Sequence, residues 1–226
     1  MIQFLKPFTR IFTFTLFLLS LSLPAGAESL WDGQSYFGAS GMVAGARNSR
    51  VEDATGQPDP RFTNGAEVIT NVGYGVSLSL GWLFNSNWRV ELELSRRSIT
   101  LDNLAGPAGS AALNGNLTAH AAFFNIAKDF RGQGWVTPYF GLGVGFGVHE
   151  LDLERVDTNY GMSKRTPTTP AFQAMFGVEL EVGEDTDIVL GYRYVNYYAP
   201  DYSEFSYDFV DFHNLEVGLR FYIEDW

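Results

Sequence analysis

The chain has 226 residues and a formal net charge of −11, from 15 Lys and Arg against 26 Asp and Glu. So acidic a chain is a poor partner for nucleic acid, and with no cysteine it has no disulfide framework, so order must come from backbone pairing and packing. Aromatic residues at 15% and 24 glycines suit a closed sheet in which Tyr, Trp and Phe ring a membrane boundary and Gly relieves crowding inside.

Residues 1–27 combine a basic start (Lys6, Arg10), an apolar run from Ile11 to Leu23 and a small-residue site at Ala25-Gly26-Ala27, the pattern of a secretory signal peptide. A membrane anchor is the weaker reading, because the run falls short of the roughly 18 to 20 apolar residues that span a bilayer and Ser20 and Ser22 interrupt it. Cleavage leaves one domain, residues 28–226, and removes two cations, taking the formal charge from −11 to −13. No later segment is long enough for a membrane helix, so any insertion must use strands.

Period-two alternation marks about eight strands. The first, around Tyr36 to Ala46, is the least regular. The second puts Val72, Tyr74, Val76, Leu78, Leu80, Trp82 and Phe84 on one face and Gly73, Gly75, Ser77, Ser79 and Gly81 on the other. A turn at Asn85-Ser86-Asn87 leads to a third, with Trp88, Val90, Leu92 and Leu94 against Arg89, Glu91, Glu93 and Ser95. A fourth runs from about Leu117 to Lys128. In the fifth, from about Val136 to Val148, Phe140, Leu142, Val144 and Phe146 oppose Tyr139 and alternate glycines. The sixth and seventh face Gln173, Gly177, Glu179 and Glu181, then Gly191 and Arg193, away from Phe172, Phe176, Leu190 and Tyr192. The last has apolar residues at every odd position from Leu215 to Ile223, with Glu216, Gly218 and Arg220 between them.

The connections alternate. Long links near 47–71, 99–116, 149–169 and 197–210 are separated by short ones near 85–87, 129–135 and 183–187, the asymmetry of outer-membrane barrels with tight periplasmic turns and larger extracellular loops. A soluble lipocalin-like barrel would turn its apolar face inward. Its outer wall would then be the face bearing Arg89, Glu91, Glu93, Arg97, Glu179, Glu181, Arg193, Glu216 and Arg220, and these charges fit better inside a narrow membrane barrel, where they can pair. The expected fold is all-β: an eight-stranded antiparallel transmembrane β-barrel in up-and-down meander order, with both termini periplasmic.

The segment Thr137-Pro138-Tyr139-Phe140-Gly141-Leu142-Gly143-Val144-Gly145 resembles the T-P-Y-x-G-x-G-x-G signature of small bacterial outer-membrane β-barrel proteins of the OmpA, OmpX and opacity-protein type. Asn125 before Lys128-Asp129-Phe130, the strand from Ala171 to Glu179, Leu190-Gly191-Tyr192-Arg193-Tyr194 and Glu216-Val217-Gly218-Leu219-Arg220-Phe221 are similar to that family's successive strand motifs, in the same order. The resemblance implies a Gram-negative outer-membrane location and insertion by the barrel-assembly machinery with periplasmic chaperones. Two departures stand out. No peptidoglycan-binding domain follows, so cell-wall tethering is not implied, and the chain runs past Phe221 to Trp226.

Arg89, Glu91, Glu93, Glu179, Arg193, Glu216 and Arg220 form a candidate lumenal charge network. With turns centred near 185 and 204, Glu179 would face Arg193 and Arg193 would face Glu216. Such a triplet is either a gate or proton site, or a plug of ion pairs in a lumen too narrow for water; the plug is the preferred reading. Parity sends His120 and His213 outward and His149 inward, on strands too far apart to share a zinc ion, so no metal, cofactor or catalytic residue is assigned. A lipid A-modifying enzyme would need a His-x-Ser-Asn motif, and no histidine here has that serine. Acidic and aromatic residues gather in the links at 50–61 and 201–211. There Tyr202, Phe205, Tyr207 and Phe209 make a candidate interaction surface for an extracellular protein ligand or for divalent cations bridging to lipopolysaccharide, while plain solvated loops are the preferred reading. The expected role is non-enzymatic: stabilising the outer membrane and presenting antigenic or adhesin-like loops. A narrow, porin-like pore is second and a lipid A-modifying enzyme third.

Overall fold

The computed structural model describes residues 33–46, 49–50, 67–106, 109–155, 161–165, 168–198 and 209–223, and every regular element among them is a strand. The proposed signal peptide, most of the 50–61 link, and Tyr202, Phe205, Tyr207 and Trp226 lie outside these residues. Eight strands form the wall: β1 Gly33–Ala46, β2 Gly73–Phe84, β3 Trp88–Gly106, β4 Gly109–Asp129, β5 Val136–Arg155, β6 Thr169–Glu181, β7 Thr186–Tyr198 and β8 Phe209–Ile223. Each pairs antiparallel with its sequence neighbour. β1 also pairs with β8, from Ser35 opposite Ile223 to Ala46 opposite Phe212, which closes the barrel and removes its free edges. Three short strands sit on the wall's extensions: Ser49–Arg50 pairs with Glu67–Thr70, which pairs with β3, and Gly161–Arg165 pairs with β5.

The interior is polar and the exterior apolar, the reverse of a soluble domain. Leu94 and Val144 are each 65% exposed, whereas Arg97 and Glu179 are fully buried. Without water outside, backbone groups must be satisfied within the wall, and a closed ladder does that. Trp88, Phe130, Trp135 and Phe221 stand exposed near the short-turn end, and Tyr74 and Tyr198 near the other, as girdles flanking an apolar band. The tight turn after β2 uses Asn87 at φ 61°, a left-handed conformation that asparagine tolerates.

The structure corrects the connections. The expected loop at 99–116 is a hairpin arm: β3 and β4 run 19 and 21 residues and pair as far as Gly106 opposite Gly109. Likewise β5 continues to Arg155 and β8 begins at Phe209, opposite Tyr198. About 9 to 11 residues suffice to cross the membrane, so these arms project beyond it. The alternation there inverts instead of stopping. On β3 the outward residues change from Leu92 and Leu94 to Arg96, Ser98, Thr100 and Asp102, while the inward ones change from Glu91, Glu93 and Arg97 to Ile99 and Leu101. Glu181, expected inside, is exposed at the end of β6.

Candidate functional site

The candidate site is the lumen, which side chains fill in stacked layers. At the short-turn end Glu179 of β6 receives Arg89 of β3 and Arg220 of β8, and Arg89 Nη1 lies 2.9 Å from Asp129 Oδ1. Two tyrosine rings floor this layer. Arg89 stacks over Tyr139 at 4.8 Å and Arg220 over Tyr36 at 4.6 Å, cation–π contacts that add to the charge pairing. Each ring lies against glycine on a neighbouring strand: Tyr36 on Gly81, Tyr139 across the Gly177–Gly191 pair. A Cβ at these positions would occupy the ring's own space, so the glycines are seats for aromatics. At the mouth Tyr222 donates to Asp187 at 3.1 Å and Arg131 to Tyr222 at 3.2 Å.

The middle layer centres on Arg193 of β7, which pairs with Glu93 across the lumen and with Glu216 at 3.0 Å. Gln173 donates to Glu93 at 3.1 Å and to Asn125 Oδ1 at 2.7 Å; Asn125 donates to Glu91 at 2.9 Å and to Glu93 at 3.1 Å. Tyr36 OH donates to Glu91 at 2.8 Å and Tyr139 OH to Glu216 at 3.4 Å, tying the two layers together. Arg97 stands above, donating to Ser95 at 2.9 Å, to Asn214 at 3.3 Å and to Tyr197 OH at 3.3 Å.

Beyond Arg97 the lumen turns apolar. Tyr197, Phe212, Ile99, Val195 and His149 are fully buried, with His149 edge-on to Tyr197 at 4.4 Å and Tyr197 edge-on to Phe212 at 5.7 Å. Leu101, Leu117 and Leu151 close over them. Between the charged layers a cavity of about 40 Å³ remains, lined by Gly38, Ser40, Ser77, Glu91, Arg193 and Arg220 among others, room for a few waters at most. An ion crossing this lumen must break buried charge pairs and then cross an apolar plug.

All seven residues of the expected network lie in this lumen, but its pairing differs from the expected triplet. The tighter β6–β7 turn sets Arg193 opposite Met175, and β8 sets it opposite Asn214. Arg193 therefore reaches Glu216 diagonally and Glu93 across the barrel, while Glu179 belongs to Arg89 and Arg220. Tyr36, Tyr139, Asn125, Gln173 and Asp129 were not among the expected network; their inward parity was the available signal. Of the expected interaction surface only Phe209 falls in the described residues, as the first residue of β8. His120 stands on the outer wall 4.0 Å from Glu150, and His213 on the outer wall beside Tyr192 OH at 2.5 Å. Among the described residues no group of three His, Cys, Asp or Glu could hold a metal ion.

A closed eight-stranded wall, apolar outside between aromatic girdles and charged within, defines a transmembrane β-barrel of the bacterial outer membrane. Residues 13–221 match the family model described as outer membrane protein beta-barrel domain, and the chain belongs to that family. Among solved structures it is similar to Neisserial surface protein A (TM-score 0.56, 18% identity, covering 83% of this chain and 96% of that one). It is similar also to the outer membrane protein OprG from Pseudomonas aeruginosa (TM-score 0.56, 13% identity, 85% and 97%). At such identities the likeness is one of fold. Among curated proteins none matches the chain.

Proposed function

We propose that the protein is a closed, non-enzymatic barrel that stabilises the outer membrane and presents its long hairpins and loops at the cell surface. The observation that carries this reading is the filled lumen, in which a network of ion pairs lies beneath an apolar plug. Eight-stranded barrels have an interior just wide enough for side chains to fill, and here they fill it. We further propose that residues 1–27 are removed on export, that barrel-assembly machinery and periplasmic chaperones deliver the chain, and that the short turns face the periplasm. The hairpin arms then lie outside, with the segment around Tyr202, Phe205, Tyr207 and Phe209 offered to an extracellular protein or, through bridging divalent cations, to lipopolysaccharide. A lipid A-modifying activity ranks last, since His149 is packed in the plug and His120 and His213 stand apart on the outer wall.

Planar-bilayer recording of the refolded protein, with its heat-modifiable gel band as proof of folding, tests the reading. A verifiably folded barrel that stays electrically silent is the expected result. Reproducible openings that change in Arg193→Ala would replace it with the narrow-pore reading.

A further inference from the structure

Where β2 to β5 meet, the outer wall carries two adjoining cross-strand rows. The first is Leu78, Leu94, Ala122 and Phe146; the next, toward the hairpin arms, is Val76, Arg96, His120 and Val148. Ala122 is small between large neighbours, and the wall there carries a shallow, open groove lined mainly by apolar side chains. Arg96 and His120 are direct cross-strand partners at the groove's upper end, and the His120 side chain is 42% exposed. Glu150 stands 4.0 Å from His120 Nε2, whereas Arg96 has no carboxylate partner among the described residues. One row further Ser98 and Thr118 hydroxyls lie 3.3 Å apart, where the wall has become polar.

A guanidinium on a lipid-facing wall is expensive unless it sits at the interface and finds an anion. This one stands where the outward side chains change from apolar to polar, directly above an apolar trough, so the complementary ligand is an anionic headgroup with a hydrocarbon chain attached. We propose that this wall binds the phosphorylated, acylated glycolipid of the outer leaflet, the lipid A part of lipopolysaccharide. Its phosphate lies on Arg96, with His120 as second donor, and one acyl chain lies over Ala122 between Leu94 and Phe146. The choice of leaflet rests on the orientation proposed above, with the hairpin arms outside.

The test is retention of hexa-acylated diphosphoryl lipid A by the refolded protein in detergent micelles, read by native mass spectrometry on samples showing the heat-modifiable band. Arg96→Gln loses about tenfold in retention, as expected for a charged hydrogen-bond partner. Ala122→Phe, which fills the trough and leaves the charge, loses retention comparably. Lys128→Gln, at the short-turn end, leaves it unchanged, and dephosphorylated lipid A erases the difference between Arg96→Gln and wild type. Equal retention by wild type, Arg96→Gln and Ala122→Phe would overturn the site. Equal retention of phosphatidylglycerol would reduce it to ordinary boundary lipid, and displacement by millimolar inorganic phosphate would reduce it to a free-anion site; either result overturns the proposal. Orientation is read separately, by an impermeant maleimide on whole cells carrying Thr100→Cys or Gly132→Cys in this cysteine-free chain. Labelling at Gly132 alone would overturn the orientation, and with it the leaflet, without touching the micelle result.

Discussion

Arg193→Ala is the sharpest test of the lumen. Arg193 is 5% exposed and joins Glu93 to Glu216, with Gln173 Oε1 accepting a further hydrogen bond from it at 3.3 Å. After truncation Glu93 keeps Asn125 and Gln173 as donors, but among the described residues Glu216 keeps only the long contact from Tyr139 at 3.4 Å. Breaking a buried pair by removing one partner costs about 3–5 kcal/mol, because it leaves an uncompensated charge. With a urea dependence of about 2–3 kcal/mol per molar, the unfolding midpoint should fall by roughly 1–2 M. Arg193→Lys retains a charge without the bidentate fork and should fall between. Arg193→Ala/Glu216→Gln should recover part of the loss, since an unsatisfied neutral amide costs only about 1–3 kcal/mol. An unchanged midpoint in Arg193→Ala, with the heat-modifiable band intact, would refute the pairing argument.

The ring seats predict that Gly177→Val, which drives a side chain into the Leu190 carbonyl and the Tyr139 ring, costs about 1–3 kcal/mol or more by overpacking. Gly132→Val, in open space in a turn, should leave the midpoint in place; equal effects would refute the seats. Tyr197→Ala/Phe212→Ala should destabilise by about 3–5 kcal/mol per ring yet stay silent in a bilayer, because the charged layers remain. Channel openings from this double variant would show that the plug alone seals the lumen. On the outer wall, Leu142→Arg should cost about 2–4 kcal/mol and Thr100→Arg about 0–1, measured by urea midpoint in lipid vesicles. Equal costs would mean that the apolar band does not end near Arg96.

Within the membrane band the faces were legible because period two is strict there: Arg89, Glu91 and Glu93 alternate with Val90, Leu92 and Leu94, and parity alone sorts them. The arms were not legible because the same strands change solvent. Beyond Arg96 the outward side chains, Ser98, Thr100 and Asp102, meet water, and the inward ones, Ile99 and Leu101, meet other apolar side chains. A search for one greasy face therefore reads the inversion as the end of the strand. Arg96, His120 and Glu150 mark the crossing in the sequence, but only when face is tracked together with residue type.

The charge pairing escaped for a different reason, which bears on how the fold is specified. Register arithmetic brings together only adjacent strands, and it made Glu179, Arg193 and Glu216 a local triplet. The partners instead lie across the barrel: Arg89 of β3 with Glu179 of β6, Arg193 of β7 with Glu93 of β3, and Arg97 of β3 with Asn214 of β8. None of these contacts forms in a flat, open sheet of the same strands; the wall must curl round until β3 faces β6, β7 and β8. A buried charge without its partner is strongly unfavourable, so an unclosed or mispaired sheet holds these side chains in lipid or unpaired. The lumenal charges thereby make closure with this set of strands cooperative, since β3 finds its partners on β6, β7 and β8 only when the wall has curled into a ring. A plug of aliphatic residues would fill the same space without that discrimination, which accounts physically for charges at the centre of a barrel that the same charges help to seal.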